Sequence, residues 1–327
     1  MRIALLGGTR FIGRRVLADL VARGDEVLLV HRGEHEPADL PPCQHLHATR
    51  RDFATVASTV RQFAPDAVID CYAMSRADVE YVLPHLPDAQ LVLLSSMDVY
   101  QAFHLVLRDL TTPGTGGEAE PVPLVETARL RAERYIYAHG GTRPDDYEKL
   151  DVEPSYLERG GTVLRLAMIY GENDHQRREE FVLRRVRAGR TRIPVGPGTW
   201  LWTRAYVGDS SAAVLACLGN RAVAGAVLNI GEPVTRSMRG WVTEILAAAG
   251  HEAELVTVPT PLVPADMWMT GHVDQHMLVD CGLATRLLDW HPDPAAGLRR
   301  SVAWHLAHPP ADASDDFTAD DAALAAS

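Results

Sequence analysis

Leu5-Leu6-Gly7-Gly8-Thr9-Arg10-Phe11-Ile12-Gly13 is a glycine-rich turn set between two different textures. The apolar run Arg2 to Leu6 leads into it with the character of a buried strand, and Phe11 to Ala22 leaves it with apolar residues at helical spacing. Glycines at the point where strand becomes helix permit backbone angles closed to other residues. They also let the chain approach a pyrophosphate and leave the free N–H groups of the helix start to bind it. Gly7, Thr9, Arg10, Phe11 and Ile12 are therefore candidate dinucleotide contacts, while Gly13 allows the helix to lie close against the sheet.

Outward from the turn, Glu26 to Val30 completes a β-α-β opening. Further apolar runs at Ala67 to Asp70, Leu91 to Leu94 and Thr162 to Met168 alternate with helical patterns, which predicts an α/β fold: a doubly wound, Rossmann-type parallel sheet covered on both faces. Beyond Gly171 a basic helix-like stretch, Glu179 to Arg190, precedes the Pro/Gly-rich Ile193 to Thr199. Later, Ser210 to Leu218 reads as a helix and Ala226 to Ile230 as a strand. The expected organisation is a dinucleotide-binding domain over 1–170, to which 203–232 returns, and a smaller substrate-binding region built from 171–202 and 233–308. A disordered, solvated acidic tail is expected over 309–327, where Asp312, Asp315, Asp316, Asp320 and Asp321 follow Pro309-Pro310. Asp109 to Pro123, rich in Gly, Pro and Thr, reads as either a lid over a site or a surface loop.

A hydrophobic content of 46% with 23% charged residues excludes global disorder. The 43 acidic against 32 basic residues, a formal net charge of −11, oppose a broad footprint for nucleic acid or an acidic membrane. Cys43, Cys71, Cys217 and Cys281 are far apart and read as reduced structural thiols. No apolar run approaches the ~20 residues of a membrane span, and Met1 to Leu6 reaches glycine too soon for a secretory segment, so the expected location is cytoplasmic. His272 and His276 share a helical spacing and His45 and His47 a strand spacing, but neither pair has an evident third ligand in sequence, and no metal is expected.

The turn resembles that of the extended or atypical short-chain dehydrogenase/reductase family, the group that includes NAD-dependent epimerases and dehydratases. The family pattern is Gly-x-x-Gly-x-x-Gly; Gly7 and Gly13 match its outer glycines and Arg10 replaces the middle one. The second strand ends Leu29-Val30-His31-Arg32-Gly33, without the carboxylate that NAD-preferring members place on the ribose 2′-hydroxyl. His31 and Arg32 remove that repulsion, so NADP is expected ahead of NAD, with Arg10 and Arg32 as the clamp on its 2′-phosphate. Similar segments follow in family order almost to residue 308. Val68 to Ala73 implies that Cys71, Tyr72 and Ala73 pass beneath the cofactor, and Leu93 to Tyr100 implies Ser96 as the catalytic hydroxyl. Met97 and Asp98 stand at substrate positions and hold only one carboxylate where sugar dehydratases use two. Leu164 to Gly171 places Leu166 near nicotinamide and Met168 where the family's substrate-contacting Asn usually stands. Trp202 to Asp209 offers Arg204 to substrate, and Asp289-Trp290-His291-Pro292 resembles the bend before the family's last helix.

The resemblance also implies a Tyr-x-x-x-Lys pair, in which an ammonium four residues along a helix depresses the phenol's pKa and orients the cofactor ribose. Here Asp146-Tyr147-Glu148-Lys149 gives a two-residue step, which on a regular helix turns about 200° and sends the side chains to opposite faces. Pro154 adds the prospect of a kink or a new helix start nearby. The implied function is an NADP-dependent oxidoreductase or epimerase acting by hydride transfer on a hydroxylated or carbonyl small molecule, in the direction of a nucleotide sugar. Ser96 and Tyr147 would polarise the substrate oxygen and Lys149 would assist. Arg177, Arg178, Glu126 and His104 are further polar candidates, and a homodimer fits the class. The rival reading is a catalytically degenerate dinucleotide-binding sensor, scaffold or RNA-binding protein, using the local basic stretch Arg184 to Arg192.

Overall fold

Strands that are apolar on both faces need cover on both faces, and the chain supplies it by crossing from strand to strand through helices. The computed structural model describes residues 1–111, 119–138 and 143–327. Its first strands are β1 (Arg2–Leu6), β2 (Glu26–His31), β3 (Gln44–His47), β4 (Ala67–Asp70), β5 (Gln90–Ser96) and β6 (Thr162–Leu166). The later ones are β7 (Met168–Tyr170), β8 (Arg192–Val195), β9 (Arg204–Tyr206), β10 (Val227–Ile230) and β11 (Glu254–Thr257). Seven of them form a parallel sheet in the order β10-β6-β5-β4-β1-β2-β3. Alternate residues feed opposite faces: Ile3, Leu5 and Leu29 enter one buried cluster, Ala4, Leu6 and Leu28 the other. The expected Rossmann-type fold is the one observed, and its strand order reverses between β1 and β4, where a crevice opens beyond the strands' carboxyl ends.

The run read as one strand from Thr162 to Met168 is two. The Ala167 N–H donates to the Ile230 carbonyl, but the Met168 N–H donates to Thr203, so the chain changes partners and β7 pairs with β9 in a separate two-stranded sheet. β11 and β8 form another. The larger apolar cluster is continuous from β1 to Trp200, Trp241 and Val302, so the later segments share the sheet's own core. Residues 112–118 of the expected lid or loop lie outside the described residues.

The expected disordered tail over 309–327 is corrected. Thr318–Ala325 is a helix, and Asp320, 1% exposed, takes two hydrogen bonds from the buried Arg185 guanidinium at 2.6 and 2.7 Å. Acid-rich composition predicted solvation, but a buried cation 135 residues earlier supplied the partner that makes burial of a carboxylate tolerable. The same contacts account for the Arg184 to Arg192 stretch. Arg184 and Arg185 pair with Asp266 at 2.8 Å, Arg187 with Glu180, Arg190 with Asp321, and Arg192 with Glu254 at 3.1 Å. Each arginine of the expected basic patch thus faces a carboxylate.

Asp320→Ala should lower unfolding free energy in urea by roughly 1–3 kcal/mol, less than a fully orphaned buried charge because Asp266 still faces Arg185. Asp321→Ala, at the exposed pair with Arg190, should change it by less than about 1 kcal/mol. Equal, negligible effects would return the terminus to a solvated tail.

Candidate functional site

The crevice beyond β1 and β4 is a cleft of about 530 Å3. Gly7 to Gly13 form one wall. Gly7 has φ +77°, a left-handed angle that favours glycine, and a Cβ on Gly13 would lie 2.6 Å from the Gly7 carbonyl oxygen and 2.9 Å from the Gly8 Cα. The helix Phe11–Ala22 can therefore start directly under the turn, with no side-chain cap on its first N–H groups. That cradle suits a dinucleotide's pyrophosphate. Thr9, Arg10, Phe11, Ile12, His31, Arg32, Cys71, Tyr72 and Leu166 line the same cleft, as the sequence reading grouped them. Arg32 also pairs with Glu34 at 3.1 Å, a carboxylate on the same wall that the sequence reading passed over.

Ala73 does not reach the cleft with its side chain. It is fully buried, and its part is played by the backbone: its N–H donates to Asp70 and its carbonyl accepts from the Lys149 Nζ at 2.6 Å. Asp70, fully buried at the end of β4, also accepts from the Tyr72 N–H, from both terminal nitrogens of Arg50 at 3.0 and 2.7 Å, and from the Tyr156 hydroxyl at 2.5 Å. Burial raises its pKa, but the Arg50 charge and these donors outweigh burial and hold the carboxyl below the ordinary range.

The two-residue step from Tyr147 to Lys149 is resolved by where the helix begins. The helix is Lys149–Glu158, and Glu148 is its N-cap with an extended backbone, φ −157° and ψ 95°. Tyr147 therefore precedes the helix and is not bound by its 100° step, so both side chains line the one cleft with Ser95 and Ser96. The Lys149 Nζ lies 6.0 Å from the Tyr147 ring centre and donates to the carbonyls of Ala73 and Leu94. Pro154 sits inside this helix without ending it.

The expected electrostatic partnership is not found. The Tyr147 hydroxyl donates to Asp98 Oδ2 at 2.8 Å, and burial together with that carboxylate pushes the phenol well above its ordinary pKa, against the opposing Arg143 guanidinium 4.6 Å from the ring. Lys149 is itself lowered to about 8, chiefly by burial. Tyr147 is thus a held proton donor, not an ammonium-depressed phenolate. The Ser96 Oγ accepts from the Asp98 N–H at 3.2 Å, capping the short turn that follows β5, and still faces the cleft.

All four expected substrate residues, Met97, Asp98, Met168 and Arg204, lie off the cleft wall. Met97 and Met168 are buried in the apolar cluster. Arg204 is 1% exposed, stacked 4.0 Å over Trp241 with its Nη2 2.8 Å from the Met238 sulfur, so it points into the core. Asp98 is buried behind Tyr147, touching that hydroxyl and the one of Tyr137. Of the neighbouring arginines, Arg178 lines the cleft beside Asp174, while Arg177 turns to the His308 carbonyl at 2.6 Å. Glu126 accepts from the Asn229 N–H and His104 faces Glu133 at 3.7 Å. Arg50 and Arg143 also line the cleft and were not singled out in sequence, having no motif to mark them. His31 and Glu36, which the sequence spacing did not group with His45 and His47, converge on them in the structure.

Fold and cleft define a Rossmann-type α/β protein. A model of the NAD dependent epimerase/dehydratase family matches residues 3–118. The chloroplast stem-loop binding protein of 41 kDa b from Arabidopsis thaliana is 26% identical over 342 residues, covering 99% of this chain and 84% of that protein. Among solved structures, the UDP-glucose-4-epimerase of Stenotrophomonas maltophila, with bound NAD and formylated UDP-arabinopyranose, superposes with a TM-score of 0.69 at 18% identity, covering 94% of this chain and 98% of that one. The enzyme of the same name from Bifidobacterium longum, in complex with NAD+ and UDP, gives 0.68 at 14% identity over 94% and 99% of the two chains. At these identities the structural likeness shows the fold. The resemblance to the epimerase/dehydratase group read from the glycine turn is thus shown, in sequence over residues 3–118 and in fold over nearly the whole chain. No helix among the described residues is long and apolar enough to cross a membrane.

Because the folded Lys149 releases its proton near pH 8 and the unfolded one near its ordinary 10.5, the unfolded chain binds more protons between these values. Stability contributed at this residue should rise with pH through that window, at most about 1.4 kcal/mol per pH unit, and be flat below it. The check is urea unfolding of wild type and Lys149→Met from pH 7 to 10. A difference between the two that stays constant would show an ordinary, unshifted lysine.

Proposed function

We propose that the chain is an NADP-dependent enzyme of the short-chain dehydrogenase/reductase type, acting on a hydroxylated or carbonyl small molecule of the nucleotide-sugar kind. The observation that carries this is the convergence of Ser96, Tyr147 and Lys149 on the cleft whose other wall is the glycine turn. The turn would hold the pyrophosphate, and Arg10 and Arg32 would face the 2′-phosphate. When bound, the nicotinamide supplies a hydride acceptor or donor.

The chain's own groups handle the proton. The Ser96 Oγ uses a lone pair on the Asp98 N–H, which leaves its hydrogen free for a substrate oxygen. Tyr147, kept protonated by burial, can give its proton to a developing alkoxide, or pass it to Asp98 while taking one from a substrate hydroxyl. A Lys149 ammonium has three donors, and two are used on the carbonyls of Ala73 and Leu94, which leaves one for a ribose hydroxyl. Arg178, half-buried beside Asp174 on the cleft wall, suits a substrate phosphate.

A second reading is favoured by the likeness to a stem-loop binding protein: a dinucleotide-fold RNA binder without turnover. Paired arginines at 184–192 and the net charge of −11 speak against it.

Calorimetry should find NADP bound more tightly than NAD, with the preference reduced in Arg32→Ser; the reverse order would remove the NADP assignment. With NADPH or NADP and a panel of carbonyl compounds and nucleotide sugars, Tyr147→Phe should retain cofactor and lose turnover by about 100-fold or more. Turnover undiminished in that variant would remove Tyr147 from the reaction. RNA stem-loops held through modest salt, with no turnover of any substrate, would favour the second reading.

A further inference from the structure

His45 and His47 project to the same face of β3 because residues two apart on a strand do so. The parallel register sets His31 of β2 directly beside His47. Glu36, on the chain that leaves β2, returns over this face and brings its carboxylate to the same point.

The four side chains each offer one ligand atom, and all four atoms lie within 4.8 Å of one another. The His31 Nε2 is 3.0 Å from the His45 Nδ1 and 3.5 Å from the Glu36 Oε1, and the His47 Nε2 is 2.6 Å from that same oxygen. A tetrahedral zinc with bonds of about 2.0–2.1 Å separates its ligands by about 3.3 Å, so two of these spacings already match and the third needs to open by under an ångström. Three imidazoles and one carboxylate are borderline donors that suit a divalent ion of the zinc kind and not magnesium or calcium.

We propose that His31, Glu36, His45 and His47 form a zinc-binding site at the edge of the sheet, adjoining the cleft that His31 also lines and apart from Ser96, Tyr147 and Lys149. The ion would tie the end of β2 to β3 and to the segment that carries Glu36. It would also act on the cleft's mouth. The Gly33 N–H donates to the His31 Nδ1 at 3.3 Å, whereas coordination through Nε2 moves the ring proton onto Nδ1 and ends that contact. Gly33, with φ +79°, stands on the cleft wall between Arg32 and Glu34, so the turn beside the candidate 2′-phosphate contacts must readjust when the ion binds.

The test uses untagged full-length protein, stripped with chelator and titrated with Zn2+ against a chromophoric competitor. One equivalent should bind. Glu36→Gln should weaken it by at least about tenfold, and the double variant His45→Ala/His47→Ala by about 100-fold or more. His272→Ala, at a separate exposed His–Asp pair, should leave the titration unchanged. Because His45 and His47 are exposed, the double variant should fold, and circular dichroism checks that it does. Independently of any variant, Co2+ loaded into wild type should give the intense visible absorption of a tetrahedral site. Failure of the wild type to compete for Zn2+, retention of full affinity by the folded double variant, or a weak octahedral Co2+ spectrum would each overturn the site.

Discussion

A buried carboxylate, Glu148, decides where a helix begins, and the cleft's chemistry depends on that decision. Its side chain is fully buried and accepts from both terminal nitrogens of Arg131 at 2.8 and 2.6 Å, from the Tyr135 N–H and from the Leu150 N–H. The last of these is the helix cap. A buried ion pair contributes little net stability compared with apolar residues of the same shape, but it is strict about geometry, because either partner left alone is costly. The strictness fixes Lys149 as the first helical residue. Tyr147 is left on the chain before it, held by its N–H to Pro144 and by the Glu148 N–H to Met74. Two side chains that one helix would set on opposite faces can then share a cavity.

Asp70 does for the sheet what Glu148 does for the helix. Its carboxylate gathers the chain beyond β4, the Arg50 guanidinium and the Tyr156 hydroxyl of the helix that starts at Lys149. The Ala73 carbonyl is thereby aimed at Lys149. The ammonium thus lies in a dry, carbonyl-lined place, with Asp70 and Asp98 supporting its charge and Arg50 and Arg143 opposing it. Burial prevails among these, which is why the charge is easily lost. Position and acidity come from the same set of contacts.

What could be read in sequence was local. Continuous apolar runs announced β1, β2, β4 and β5, and glycines at a strand-to-helix transition announced the turn, because backbone angle and periodicity are carried by neighbouring residues. The displaced residues were displaced by distant partners. The helix start at Lys149 rests on Arg131, 17 residues before its Glu148 partner, and the burial of Asp320 rests on Arg185. Arg204 matched a spacing but was taken into the core by Trp241 and Met238. His31 was read as a cofactor contact, and its meeting with His45 required the register of β2 on β3, which periodicity within either strand does not contain.

Charge is sorted by the fold in the same way. The chain carries an acidic excess, and its long basic stretch at 184–192 is spent on carboxylates, so most of the surface offers a polyanion little. The cleft wall keeps a local excess: Arg10, Arg32, Arg50, Arg143, Arg178 and Lys149 line it, with Arg32 paired to Glu34, Arg50 to Asp70 and Asp78, and Arg178 to Asp174. A basic recess walled by low-dielectric protein within an acidic whole concentrates field lines on the recess. Such a field draws in a compact anion able to enter, while an extended one that must also lie along the outer surface meets repulsion there. A dinucleotide fits the first description and an RNA duplex the second, so the distribution of charge, more than its sum, argues for a small anionic ligand.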